Sequence, residues 1–215
     1  MEGIIYKVQN YQENSKLVFV YTKSGKRTLV ASGALKMNSN LRIMTQFLNH
    51  ISFEESKKMM FNLKNCELIN DFSTIKNNYQ LTKNSSTMLE VIDKLIYEDN
   101  EHEKIFNELI LALNNNIETS YLTFLARILF YLGFAPNIKG NGKKVKGMSV
   151  EKGGIVYEDE YIALDLDYQE TILFLRLISG YQTKLDLSND VLEKLIYFLI
   201  KYYQYHLQIS LKTLK

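Results

Sequence analysis

Residues 15 to 22, Ser-Lys-Leu-Val-Phe-Val-Tyr-Thr, alternate without a break: Leu17, Phe19 and Tyr21 fall on one face of an extended segment, Val18, Val20 and Thr22 on the other. A period of two commits this part of the chain to sheet, and Ser24-Gly25 then closes a hairpin. Further short strands are predicted over residues 3–10, 27–32, roughly 43–54 and roughly 58–70, the last broken at Lys64-Asn65, with residues 33–42 as a loop. Five or so short strands within about seventy residues fit a small Greek-key barrel of the OB type.

Behind Phe72 the period changes. Met88, Leu89, Val91, Ile92, Leu95 and Ile96 form one helical stripe, with Ser85, Ser86 or Thr87 as its N-cap. Ile105, Phe106, Leu109, Ile110 and Leu113 form a second stripe. Tyr121, Leu122, Phe124, Leu125, Ile128, Leu129 and Leu132 form a third, capped by Thr119 or Ser120 and stopped by Gly133 ahead of Pro136. Residues 137–163 lose periodicity and are rich in Gly and Lys. Two more helices are predicted, about 167–180 and 188–208, the last with Ser188 and Asp190 in its first turn. The fold class is therefore α+β: residues 1–78 as an OB-fold nucleic-acid-binding domain and 79–215 as a mainly helical domain.

Charge is distributed unevenly. Residues 1–42 hold Lys7, Lys16, Lys23, Lys26, Arg27, Lys36 and Arg42 against Glu2 and Glu13, an excess of five positive charges in a chain whose formal total is only +2. A polyanion is the partner such a module suits. Lysine and arginine neutralise phosphates, and Tyr6, Tyr11, Phe19 and Tyr21 offer faces for unstacked bases, although half of these aromatics must fill the barrel. Lys139, Lys143, Lys144 and Lys146, interleaved with Gly140, Gly142 and Gly147, make a second basic loop.

Catalytic patterns are missing: no phosphate-binding GxxxxGK[ST], no GxGxxG after a strand, no HExxH and no GxSxG. His50, His102 and His206 stand singly, as structural or surface residues. Glu158-Asp159-Glu160 and Asp165-Leu166-Asp167 read as solvated acids rather than a cation site. Cys66, the single cysteine, excludes an intrachain disulfide and a cysteine zinc cluster and reads as a buried thiol. No apolar run reaches the length of a membrane span, and Met1-Glu2-Gly3 lacks the order of a secretory signal, so a cytoplasmic protein is expected. No enzyme and no cofactor are expected.

The order of several segments resembles the RecO family of bacterial recombination mediators. These are Gly3-Ile4-Ile5, Tyr11-Gln12-Glu13-Asn14-Ser15-Lys16-Leu17, Thr22, Gly25-Lys26-Arg27 and Ala31-Ser32-Gly33-Ala34, then Cys66-Glu67-Leu68 before Asp71-Phe72. Leu129 to Pro136, Gly153-Gly154-Ile155-Val156 and Tyr205-His206-Leu207 continue the match. The resemblance implies an N-terminal OB-fold, a helical second domain and a zinc-finger-like insertion, here about 137–163. It implies binding of single- and double-stranded DNA, strand annealing, and work with RecR to load RecA on DNA coated by single-stranded-DNA-binding protein, whose C-terminal tail would be a further partner. Two departures stand out. Many relatives carry four cysteines around the insertion, where this chain has residues such as Asn141, Lys144, Tyr157 and Glu160, so the insertion is expected to be degenerate and metal-free. Relatives also tend to be more basic after the alanine, where this chain has Ser32 and Leu35 beside Lys36, so its DNA affinity is expected to be modest and salt-dependent.

The expected reading is a non-enzymatic DNA repair and recombination mediator that contacts DNA through Lys16, Lys23, Lys26, Arg27, Lys36, Arg42, Lys143 and Lys144. The alternatives are a protein-interaction adaptor that has lost DNA binding, and an RNA-binding OB protein.

Overall fold

The computed structural model describes residues 1–115, 117–181 and 187–214. Packing divides the chain into two compact units, Met1–Ile110 and Leu111–Lys215. Helix Tyr79–Leu95, which lies beyond the expected division at 78/79, packs on the first strand within the first unit.

The first unit is built on β1 (Glu2–Tyr11), β2 (Ser15–Thr22) and β3 (Gly25–Ala31), an antiparallel meander. The alternation predicted for 15–22 is the pleat of β2: Val18 and Val20 enter a core shared with Ile5, Leu29, Ala31, Ile51, Phe53 and Leu63. In β1 three consecutive residues, Ile4, Ile5 and Tyr6, are buried, which a regular strand cannot arrange on one face. The register against β2 shifts between Ile5 and Lys7, and this bulge re-aims the residues that follow. The β2–β3 turn is tighter than the sequence suggested, since Gly25 already pairs with Thr22. The Thr22 hydroxyl donates to the Gly25 carbonyl (2.7 Å) and accepts from Ser24 N–H (3.2 Å), while Gly25 takes φ +98°, which suits a residue without Cβ.

The strand expected at 43–54 is a correction. Leu41–Met44 is a single helical turn, α1, and only β4 (His50–Ser52) is extended. The Asn49 side chain explains the switch: its amide donates to the Ile43 and Met44 carbonyls, both at 2.9 Å, and stops the turn before the strand begins. Strands β5 (Met60–Asn62) and β6 (Glu67–Asn70) flank the break at Lys64-Asn65, giving the order β5-β3-β2-β1-β4-β6. The closed barrel is not formed: among the described residues no ladder joins β5 to β6. The sheet instead curls until the segments after β4 and β5 meet at one bond, Glu54 N–H to the Lys64 carbonyl at 3.1 Å.

Helices α2 (Ser73–Lys76), α3 (Tyr79–Leu95) and α4 (His102–Asn114) follow. Helix α3 starts six residues before the predicted cap region: Asn78 is its N-cap, its side chain accepting from Leu81 N–H at 3.1 Å. Ser85, Ser86 and Thr87 lie mid-helix, where their hydroxyls donate to the carbonyls four residues back. Tyr21, His50 and Phe106 pack ring against ring between sheet and α4. His50 Nε2 lies 3.2 Å from a Glu2 carboxylate oxygen, without the alignment of a hydrogen bond. Burial lowers the His50 pKa, an effect that Glu2 only partly offsets. Because the folded state then binds this proton less readily than the unfolded state, stability is full above about pH 6.5 and falls as the pH drops toward the depressed value. Thermal melts between pH 7 and pH 5 should show a falling midpoint, and His50→Gln should flatten the fall; equal slopes would contradict the assignment.

In the second unit α5 (Ile117–Tyr131) ends as predicted, with Gly133 at φ +76° and Phe134 N–H bonded back to the Leu129 carbonyl at 2.9 Å. Ser120 does not cap it; the helix starts earlier and the Ser120 hydroxyl donates to the Ala112 carbonyl at 2.8 Å. Residues 137–163, read as aperiodic, contain two antiparallel strands, β7 (Val145–Ser149) and β8 (Gly154–Tyr157), and β9 (Leu166–Asp167) pairs with β7. Helices α6 (Tyr168–Ser179) and α7 (Asn189–Leu207) match the predicted ranges, with a capping box of Asp167 and Glu170 on α6 and Ser188 as N-cap of α7. Among the described residues no helix is long and apolar enough to cross a membrane.

Candidate nucleic-acid interface

The six cations predicted on the strand module are sorted by β2 into two groups at its opposite ends. Lys16 opens β2 and Tyr21 pairs with Lys26, so about 17 Å of strand separates the groups. At the first end, Leu35 N–H donates to the Asn14 carbonyl at 3.1 Å, which ties the 33–36 turn, and exposed Lys36 with it, to the β1–β2 turn. Arg42, exposed on α1, is close enough to Lys16 to act on its titration: burial first, then the guanidinium, lowers the Lys16 pKa. Two like charges close enough to act on each other are relieved by a bound phosphate.

At the second end Lys26 Nζ donates to the Asp93 carbonyl at 2.8 Å and lies 6.0 Å from the Tyr6 ring centre. Burial lowers its pKa, with Asp93 acting in the opposite sense. Arg27 Nη1 donates to the Lys26 carbonyl at 2.8 Å. Lys23 is exposed, but its ammonium lies 3.3 Å from Glu2. Beside this end opens a cleft of about 550 Å³, whose lining includes Lys26, Arg27, Ile96, Tyr97 and His102.

Between the groups, the outward face of β1 and β2 carries a feature that charge counting did not single out. Lys7 pairs with Phe19 across the strands, and its Nζ sits 5.3 Å from the Phe19 ring centre. Of the four aromatics read as stacking candidates, Tyr6 and Tyr21 are buried, while Phe19 and Tyr11 keep part of their surface in solvent. The alternation of 15–22 placed Phe19 opposite Val18 and Val20; only strand register could place Lys7 beside it.

Lys143 and Lys144 belong to the second unit, and both are ion-paired, Lys143 with Asp159 and Lys144 with Glu158 at 2.5 Å. These carboxylates raise both lysine pKa values, by hydrogen bond first. Of the acids read as solvated, Glu158 and Asp159 are indeed exposed, while Asp165 and Glu160 also hold backbone. Asp165 accepts from Val150 N–H at 2.7 Å and pairs with Lys201, and Glu160 accepts from Tyr157 N–H at 2.8 Å and pairs with Lys152. Among the described residues no group of three or more His, Cys, Asp or Glu side chains is placed to hold a metal ion. Cys66 is half-buried rather than buried, and desolvation pushes its thiol up to about 11, which keeps it protonated at neutral pH.

Residues 1–72, the sheet and all six of its predicted cations, match the family model described as Recombination protein O N terminal. The chain is similar to the RecO family. Relatives called DNA repair protein RecO extend the match past the sheet. That of Oceanobacillus iheyensis is 28% identical over 169 residues, covering 73% of this chain and 65% of the relative. That of Clostridium acetobutylicum is 30% identical over 146 residues, 63% of this chain and 58% of the relative. A longer match, 26% over 192 residues, is with the protein of Caldicellulosiruptor saccharolyticus and covers 81% of this chain and 78% of the relative. The first two RecO proteins are thus matched over less than two thirds of their length.

Proposed function

We propose that this chain is a RecO-type, non-enzymatic DNA repair and recombination mediator acting in the cytoplasm, and that its curled sheet is an OB-type module for DNA. One observation carries the reading: cations stand at both ends of β2, with the half-exposed Phe19 ring and Lys7 between them along the strand. Lys16, Lys36 and Arg42 lie at one end, Phe19 with Lys7 in the middle, and Lys26 with Arg27 at the other. Cations along a groove follow a phosphate backbone, and an aromatic face between them receives a base that has left its stack. Lys23, Lys143 and Lys144 contribute only after releasing Glu2, Asp159 and Glu158, so they rank below the other five.

Annealing asks no covalent chemistry of such a surface. Neutralised phosphates let two strands approach, and bases held unstacked are open to pairing. The names of the relatives support the biological setting, and RecR, RecA loading and the tail of single-stranded-DNA-binding protein follow as proposed partners. The test is annealing of two complementary fluorescent oligonucleotides at low and near-physiological salt, with and without a coat of single-stranded-DNA-binding protein. Acceleration that fades as salt rises is expected. No acceleration at either salt would contradict the mediator reading and favour the adaptor.

A further inference from the structure

The cleft beside the β2–β3 turn has a mixed lining. Lys26 and Arg27 are its cations, and Met59, Ile96 and Tyr97 are its apolar lining. Tyr97 is 66% exposed although Ile96 before it is buried. Its hydroxyl donates to the Lys94 carbonyl at 3.2 Å, which restrains the ring, and its backbone N–H donates to Asn100 Oδ1 at 2.6 Å, which fixes the main chain beneath it. An exposed aromatic face that is already fixed loses little freedom when a second ring stacks on it. The cations are placed as well: Arg27 Nη1 also lies 3.7 Å from Met59 Sδ, and Lys26 is anchored on Asp93. His102 is turned away from ligand chemistry, its Nδ1 lying 3.3 Å from the Tyr21 hydroxyl and its Nε2 3.3 Å from the Glu98 carbonyl. Glu98 lines the cleft too, so an anion is drawn toward Arg27 and away from that carboxylate.

We propose that this cleft takes one unstacked nucleotide of a single DNA strand, its base on the Tyr97 ring and its phosphate on Lys26 and Arg27. The inference rests on the DNA-binding reading above and adds strand discrimination to it. A duplex, with its bases stacked and paired, meets the two cations but cannot present a free base to Tyr97. The volume, about 550 Å³, falls within the range of small-ligand sites. An acidic peptide is the competing occupant of a basic, partly apolar cleft.

The test uses the full chain with a thymidine-rich single strand carrying one 5-iodouracil, and with a duplex of the same length. Tyr97→Ala should weaken single-strand binding about tenfold and leave duplex binding within about twofold. Tyr97→Phe, which keeps the ring but loses its bond to the Lys94 carbonyl, should lose less single-strand binding than Tyr97→Ala and stay within about twofold on duplex. Glu98→Gln should tighten single-strand binding, and irradiation should cross-link the strand to the segment bearing Tyr97. Equal losses on single strand and duplex, or no loss with cross-links elsewhere in the unit, would overturn the inference while leaving DNA binding intact. Binding of an acidic peptide that depends on Tyr97, with single-strand binding indifferent to it, would overturn it in favour of the peptide. Failure of the unaltered chain to bind either DNA would remove the parent reading as well.

Discussion

Gly154→Ala should lower the melting temperature of the second unit by about 12 °C. A Cβ at Gly154 would lie 2.3 Å from the Asn137 carbonyl oxygen and 2.8 Å from the Asn137 nitrogen, and no flexible side chain is there to yield. Those backbone groups are committed, since Asn137 N–H donates to the Gly153 carbonyl at 2.8 Å and the Asn137 carbonyl accepts from Ile155 N–H at 3.0 Å. Relieving the clash means parting this bridge from β8, at a cost of about 3 kcal/mol, which in a unit of this size corresponds to the stated shift. Gly140→Ala is the control: a Cβ there meets nothing within 4 Å, so the melt should stay unchanged. Far-ultraviolet melts of the two variants check the pair, and equal midpoints would mean that β8 is not seated against Asn137.

Removing the phosphate contacts should have the largest effect on binding. Replacing Lys16, Lys26, Arg27, Lys36 and Arg42 together by Ala should weaken single-strand binding at near-physiological salt by roughly several hundred-fold, the product of five single-strand phosphate contacts. The two ends should contribute independently, because about 17 Å of strand separates them. The fold should tolerate the change, since none of the five belongs to the buried core and Lys36 and Arg42 are exposed. Fluorescence anisotropy of a labelled oligonucleotide provides the measurement, and a loss smaller than about tenfold would place the phosphates elsewhere.

Elements whose pattern spans many residues were legible in the sequence. The β2 alternation, the α6 and α7 ranges and the α5 stop at Gly133 are each fixed by a local rule, and each stands in the structure. What was not legible depended on partners distant in sequence. The turn at 41–44 is closed by Asn49, and a single side-chain amide leaves no periodic trace. The three hydroxyl residues 85–87 looked like a cap because Ser and Thr favour caps; the choice fell instead to Asn78, which starts the helix earlier. Strands β7 and β8 are five and four residues long and carry Gly147 and Gly154 where other backbone approaches closely, so glycine that reads as loop is here a condition for pairing.

The site was legible as charge and illegible as geometry. Summing lysines and arginines pointed to the strand module but could not tell that Lys143 and Lys144 face Asp159 and Glu158, acids fourteen to sixteen positions away. Nor could it find Lys7 on Phe19, which needs the register shift of β1, or Tyr97 at the cleft with Lys26, which needs α3 packed on β1.

The salt dependence of single-strand binding tests the central claim most directly. With five phosphate contacts, log K against log salt concentration should fall with a slope of about −3.5 for the unaltered chain and flatten toward zero when the five cations are replaced. A slope near zero for the unaltered chain, or one that the five replacements leave unchanged, would contradict the account.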